Sequence, residues 1–376
     1  MNILFPFVGD SVGGSHWSVI NLFIELKTNK LINPKIVLHI ADSPLSKHLD
    51  KMGINYDILP LNNLAGQIPS LINISFYMLF NLPLVIKYIK NNDINIVHGN
   101  DLRVNLTWSL PVRFSSAKYV WHQRSCLSNS IKWHAIRYIS DYVVSISNYV
   151  NSTLPANLNK ELVECIKNPF DTKTIYDKKE SREILNEKYP YLKNVFVLGY
   201  VGRLVSWKHV EDILYALQKV VHRINDIGKV HLVIVGEGDI NYTDKINHLI
   251  SSLGLSDHVT MTGFVNNPSL ILSAVDLFIA SSHNEPFGRV IIESMIQRTP
   301  VLASRSGGHI ETIDHNKTGL LYDEFSSYEL SQYIFRIVSK DINTAYIVDD
   351  AYHKAVLDYS IAEHANKMIS IYNGLV

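Results

Sequence analysis

One stretch constrains this chain more than any other: LFIASSHNEPFGRVIIESMIQRTPVLASRSGGHIETIDHNKTGLLYD, from Leu277 to Asp323. It opens with an apolar run, Leu277 to Ser281, bounded by polar residues, which reads as a buried strand. A polar loop, His283 to Gly288, leads into a helix with Val290, Ile291, Met295 and Ile296 on its apolar side. A second strand, Pro300 to Ser304, is followed by the pair Gly307-Gly308. Strand, polar loop, helix, strand is the βαβ unit of an open parallel sheet, where ligands bind beyond the carboxyl ends of the strands. The loop residues are therefore the candidates for chemistry.

Within this unit Glu285 precedes the helix and Glu293 lies inside it. Gly288 lets backbone approach a ligand closely, and the free amides that open the helix suit an anion. A carboxylate at Glu293, on an otherwise apolar segment, is costly unless something hydrogen-bonds it, and vicinal sugar hydroxyls would do so. Taken singly, Glu285 also reads as a helix-capping acid and Glu293 as part of a solvated face. A second informative segment is GYVGRLVSWK, Gly199 to Lys208. There a strand ends at Gly202, Arg203 follows, and Lys208 opens the next helix, expected from Val210 to Ile224. Two cations beside a helix N-terminus make a diphosphate site; on an isolated loop they would be surface charges.

The same alternation runs through the first half, with strands expected at Ile3–Phe7, Lys35–Ile40, Tyr56–Leu59, Ile94–Gly99, Tyr119–His122, Tyr142–Ile146 and Val163–Ile166. Further strands are expected at Val195–Tyr200, His231–Val235 and Val259–Phe264. Intervening helical segments imply parallel sheets throughout. The first βα turn, Gly9 to His16, holds Gly13-Gly14 but is not G-x-G-x-x-G, and no acid ends the second strand to hold an adenosine ribose. A dinucleotide site is therefore not expected. His98 and the run His122-Gln123-Arg124 end two later strands on the same edge. Histidines in such places also serve as hydrogen-bonded structural residues, and Arg124 could be either an anion contact or a surface ion pair.

Glu285-Pro-Phe-Gly-Arg-Val-Ile-Ile-Glu293 resembles the E-x7-E signature of retaining glycosyltransferase family 4, the group 1 glycosyltransferases of GT-B fold. Gly202-Arg203 with Lys208 resembles the same family's G-R-x4-K, and the runs at 300–304, 307–311 and 318–321 follow its pattern. One departure is Gln297-Arg298-Thr299, where a small residue and glycine are usual; it alters a helix end and not the ligand face. The resemblance implies two Rossmann-like α/β domains whose parallel sheets face across a cleft. Residues 1–170 would form an acceptor-binding domain, 171–355 a nucleotide-sugar-binding domain, and 356–376 a last helix packing back on the first domain. Ile166-Lys-Asn-Pro-Phe-Asp171 resembles the family's crossing between them.

The activity so implied is transfer of a hexosyl group, with retention, from a UDP- or GDP-sugar to a glycan or lipid-linked glycan in polysaccharide or lipopolysaccharide synthesis. Arg203 and Lys208 would neutralise the diphosphate. Glu285 would bind hexose hydroxyls beside the backbone of Phe287, Gly288, Arg289 and Val290, and Glu293 the ribose. Phe264 and Val265 would flank the base, Gly13 and Gly14 would lie near donor phosphate and acceptor, and His122 would contact the donor sugar. No cofactor is expected. A nucleotide-sugar epimerase of the same fold, or a non-catalytic sugar-nucleotide-binding protein, are the competing readings.

Bulk properties narrow the setting. Lys plus Arg equal Asp plus Glu, 35 each, so nothing global argues for nucleic acid. Residues 1–170 nevertheless hold 15 basic and 10 acidic residues, a net +5 that suits an anionic acceptor or membrane surface. Trp108, Trp121 and Trp133 lie among Arg103, Arg113, Arg124, Lys132 and Arg137, so peripheral contact with an anionic membrane is expected there. Two cysteines build no disulfide scaffold or zinc site, and no other residue pattern suggests a metal. The opening MNILFPF reads as a first strand and not a signal peptide, and the apolar stretch Ile68–Ile89 is too interrupted to span a bilayer, so the cytoplasm is the expected compartment.

Overall fold

A computed structural model describes residues 1–61, 71–223 and 229–376. These form two compact units: Met1–Phe170 with Ser360–Val376, and Asp171–Tyr359. The chain thus leaves the first unit at residue 170 and returns to it for the last helix.

The first unit is built on seven parallel strands: β1 Asn2–Phe7, β2 Asn33–Leu38, β3 Asp57–Ile58, β4 Ile96–Gly99, β5 Lys118–Gln123, β6 Tyr142–Ser145 and β7 Val163–Cys165. Their order in the sheet is β3-β2-β1-β4-β5-β6-β7. The second unit has six, β8 Phe196–Val201, β9 Val230–Val235, β10 Val259–Gly263, β11 Leu277–Ala280, β12 Val301–Ser304 and β13 Leu320–Tyr322, in the order β10-β9-β8-β11-β12-β13. Every pairing is parallel. Strands such as Ile3-Leu4-Phe5 and Leu232-Val233-Ile234 are buried, because helices cover both faces of such a sheet. Both are Rossmann-like α/β sheets.

Each order reverses once, between β1 and β4 and between β8 and β11. At such a switch point the crossover helices diverge to opposite faces, leaving a crevice at the carboxyl ends of the two central strands. The loops that enter it follow β1 and β4 in the first unit, and β8 and β11 in the second.

All twelve expected strands are present, and β13 is one more that was not expected. The segment 130–140 is a 3₁₀ turn, Ile131–Ala135, followed by the single turn Ile136–Ile139, with Trp133 and Ile136 buried. The run around Pro83 is helical from Leu71 to Asn91, with a π-helical turn at Tyr77–Asn81 just ahead of the proline. That placement relieves the missing N–H and the ring clash that Pro83 would bring to a regular helix. Residues 68–70 of that stretch, and Ile224 at the end of the helix Val210–Arg223, lie outside the described residues. No helix among the described residues is long and apolar enough to cross a membrane.

The return to the first unit begins at Ser360, later than the expected residue 356. Helix Ala345–Tyr359 ends there, and the Ser360 side chain caps helix Ile361–Leu375 by accepting from the Glu363 N–H at 3.3 Å. Ser-Ile-Ala-Glu is a capping-box pattern that marks the boundary in the sequence. The last helix lies against helix Gly14–Leu26 and puts Met368, Ile371 and Tyr372 into the same core as Phe5, Val19 and Phe23.

Candidate functional site

In the second unit the two loops at the switch point are joined. The Lys208 ammonium donates to the Glu285 carboxylate at 2.5 Å, with both side chains largely buried. The Ser281 hydroxyl donates to the Lys208 carbonyl at 2.8 Å, and the His283 N–H to the Trp207 carbonyl at 3.0 Å. Burial alone would push the Glu285 carboxyl up, but the Lys208 ammonium beside it holds it below the usual value. Lys208 also lies 4.2 Å above the Trp207 ring. The sequence assigned Lys208 and Glu285 to different parts of a ligand; here each is the other's partner.

Behind Glu285 the Gly307-Gly308 pair acts as a backbone clasp. The Gly308 N–H donates to the Glu285 carbonyl at 2.7 Å. Gly307 has φ +52°, and a Cβ there would lie 2.4 Å from the same carbonyl oxygen, so only glycine fits. Gly288, at φ +89°, caps helix Arg289–Ile296 without a side-chain hydrogen bond, and a Cβ on it would meet the ring of His309 at 3.0 Å. The opening amides of this helix present its positive end beside the Lys208–Glu285 pair. His309 is fully buried, and burial takes its pKa down to about 4, so it is neutral.

Phe287 is buried against Tyr359, so its contribution to a ligand is backbone and not ring. Glu293 is not isolated on an apolar face: it pairs with Arg289 at 3.5 Å and is a quarter exposed. Arg203 is exposed after β8, its carbonyl accepting from the Tyr200 hydroxyl at 3.1 Å. Phe264 is exposed just after β10, its N–H donating to Glu237 at 3.2 Å, while Val265 packs on the core beneath. Gln297, the departure at the helix end, holds the linker: it accepts from the Tyr176 N–H and donates to the Thr174 carbonyl, each at 2.9 Å.

Three further residues cluster beside Lys208, and sequence reading missed them because they come from distant parts of the chain: His209 just before helix Val210–Arg223, Asp212 in its first turn, and His283 on the loop after β11. The His209 and His283 rings stack with centroids 3.6 Å apart and planes 18° apart, and Phe325 sits edge-on to both. His283 Nε2 bonds the Asp212 carboxylate at 3.1 Å. Burial raises Asp212 to about 6 and lowers His283 to about 4. His209, Asp212 and His283 bring ligand atoms within 4.8 Å of one another, the one such group among the described residues. Stacked imidazoles, however, hold their lone pairs in nearly parallel planes, here with centroids 3.6 Å apart, so an ion in the plane of one ring lies well out of the plane of the other.

In the first unit, Gly13 opens helix Gly14–Leu26, its N–H donating to His16 Nδ1 at 3.1 Å. His122 is fully buried at the end of β5. Its Nδ1 meets His98 Nε2 at 3.0 Å and an Arg124 N–H at 3.4 Å, and its Nε2 has no partner. His98 Nδ1 in turn meets the Tyr372 hydroxyl of the last helix at 2.5 Å. Arg124 also donates to Asn100 at 2.9 Å and to Asn168, whose side chain meets Ser18 as well. The ring of His364 stacks beside His122, and its Nδ1 meets the Lys167 carbonyl. Trp108 and Trp121 are fully buried and Trp133 nearly so; large rings in this unit's core are packing, and they are not available to a membrane.

The family model described as "Glycosyl transferases group 1" matches residues 181–354. An uncharacterized glycosyltransferase of Methanocaldococcus jannaschii is 28% identical over 257 residues, covering 64% of this chain and 62% of that protein. The poly(ribitol-phosphate) α-N-acetylglucosaminyltransferase of Staphylococcus aureus is 25% identical over 233 residues, covering 62% of this chain and 46% of its own length. The chain thus spans less than two thirds of each of these curated relatives. The crystal structure of Anabaena HepE in complex with UDP-glucose superposes with a TM-score of 0.83 over 100% of both chains, at 22% identity. The second unit therefore carries the group 1 glycosyltransferase domain, in a chain built as the GT-B glycosyltransferases are.

Proposed function

We propose that this protein transfers a hexosyl group, with retention of configuration, from a UDP- or GDP-sugar to a glycan or lipid-linked glycan. The observation that carries this reading is the Lys208–Glu285 pair at the switch point of the second sheet, beside an uncapped helix N-terminus. A diphosphate entering there competes with Glu285 for the Lys208 ammonium. As Lys208 turns to phosphate, together with Arg203 and the helix amides, Glu285 is released to accept hydrogen bonds from the hexose hydroxyls. Charge developing on the leaving diphosphate is then met by fixed cations and dipoles, without a metal ion. Glu293 would take the ribose hydroxyls in place of Arg289, Phe264 and Val265 would flank the base, and the Gly13-Gly14 turn and His122 would face acceptor and donor sugar. The polymer acceptor of the Staphylococcus relative and the UDP-glucose held by the Anabaena protein support this substrate class.

Titration with UDP-, GDP- and ADP-sugars tests it directly. Arg203→Ala and Lys208→Ala should each weaken nucleotide binding by about 1.5–3 kcal/mol, the range for a charge-assisted contact. Undiminished affinity in both variants would remove them from the site. Incubating donor alone and with acceptor then separates epimer from transfer product.

For a lipid-linked acceptor we propose peripheral attachment to the inner face of the cell membrane. With the tryptophans buried, the apolar surface for it is the helical run after residue 71, where Ile72, Leu79, Phe80 and Leu84 are exposed next to Lys87 and Lys90. Exposed apolar side chains flanked by lysines suit an anionic bilayer surface. Sedimentation with anionic liposomes should recover the wild type, less so as salt rises, and Phe80→Asp should stay in the supernatant. Equal recovery in the supernatant with anionic and neutral liposomes at low salt would favour a soluble acceptor.

A further inference from the structure

The buried chain Tyr372–His98–His122, with Arg124 beside it, determines where protons sit. Arg124 is always a donor, so the His122 Nδ1 that it meets at 3.4 Å must offer a lone pair. His98 Nε2, 3.0 Å from that same atom, must then carry hydrogen and donate. His98 Nδ1 is left as an acceptor, which the Tyr372 hydroxyl at 2.5 Å fills as donor. No other assignment gives every contact one donor and one acceptor. By elimination the hydrogen of neutral His122 lies on Nε2, the one ring nitrogen with no partner in a residue that is 0% exposed. A buried N–H of this kind is costly to leave unmade and is found paired in a working complex.

We propose that His98, Tyr372 and Arg124 are positioning residues that lock His122 as an obligate Nε2–H donor to a substrate oxygen. His122 then holds a hydroxyl or ring oxygen in place and takes no proton from the acceptor, since Nε2 already bears one and Nδ1 is filled by two donors. The last helix, through Tyr372, supplies the donor that this arrangement requires at His98 Nδ1. The inference rests on the glycosyltransferase reading for the identity of the oxygen, but not for the tautomer.

Nitrogen-15 spectra of the free, full-length protein, with His122 assigned by its substitution, should show the Nε2–H tautomer for both His98 and His122, unchanged between about pH 6 and 8. A His122 signal for Nδ1–H, or an imidazolium appearing in that range, would overturn the assignment whether or not any sugar nucleotide proves to be a donor. In transfer assays, His98→Leu should lower kcat by roughly tenfold with little change in donor KM, and His98→Gln, whose amide still donates, should recover most of that loss. Tyr372→Phe should keep His98 as the Nε2–H tautomer, since Arg124 fixes it through His122, and should leave its Nδ1 without a donor. Equal losses in the leucine and glutamine variants would show that His98 only fills space.

Discussion

Glu285→Ala should abolish most turnover and leave nucleoside diphosphate binding intact or tighter. The carboxylate is the partner of Lys208 in the free protein, at 2.5 Å. Removing it frees the ammonium for phosphate, so the cost of breaking the pair disappears from the binding equilibrium. The same removal takes away the group that would hold the hexose as its bond to phosphate breaks. Losing such a transition-state contact costs roughly 100-fold or more in kcat. The paired measurements are turnover with a sugar nucleotide and calorimetric affinity for the free diphosphate. If affinity falls as steeply as turnover, Glu285 serves the phosphate and the assignment of roles between it and Lys208 is wrong.

The second large effect is on stability in acid. His98, His122, His309 and His364 are each at most 3% exposed. Burial takes His309 to about 4 and His364 to about 3, and holds His98 and His122 well below the ordinary value, with the Arg124 cation adding to the effect on the latter two. The unfolded chain protonates each near pH 6.5, whereas the folded chain keeps it neutral. The stability they contribute is therefore present above that pH and is lost as pH falls toward the folded values. At pH 5 the loss is about 2 kcal/mol for His309 and for His364, an amount large against the whole stability of a domain, and His98 and His122 act in the same direction. Asp212, raised to about 6, acts in the opposite sense, since the folded state gains its proton first, and offsets about 1 kcal/mol of this. Histidines lowered by burial lie in both units, His98, His122 and His364 in the first and His231, His283 and His309 in the second, so both should lose stability in acid. Urea melts at pH 7 and pH 5 with equal midpoints would mean that these imidazoles are protonated in place.

The strands were legible because apolar runs bounded by glycine and polar residues carry their own signal, as at Leu232-Val233-Ile234. So was the carboxyl edge on which Arg203 and Glu285 stand, because strand direction follows from the parallel alternation. What the pattern did not carry was partnership. Lys208 and Glu285 are 77 residues apart, and only the reversal of strand order between β8 and β11 brings their loops together. His98, His122 and Tyr372 are likewise joined by a helix that returns from the far end of the sequence. The mixing of tryptophan with basic residues across 103–137 misled for a related reason: tryptophan suits both a bilayer surface and a buried core, and Trp108 and Trp121 serve the second.

The return of residues 360–376 to the first unit bears on how the protein is made. Residues 1–170 emerge from the ribosome before 171–359, but their core lacks Met368, Ile371 and Tyr372 until residues 360–376 are made. The intervening segment, Asp171–Tyr359, has all its strands in hand earlier. The order of birth and the order of completion are therefore inverted: the half made first waits, partly open and exposed to chaperones, for the half made second to close before its last helix arrives.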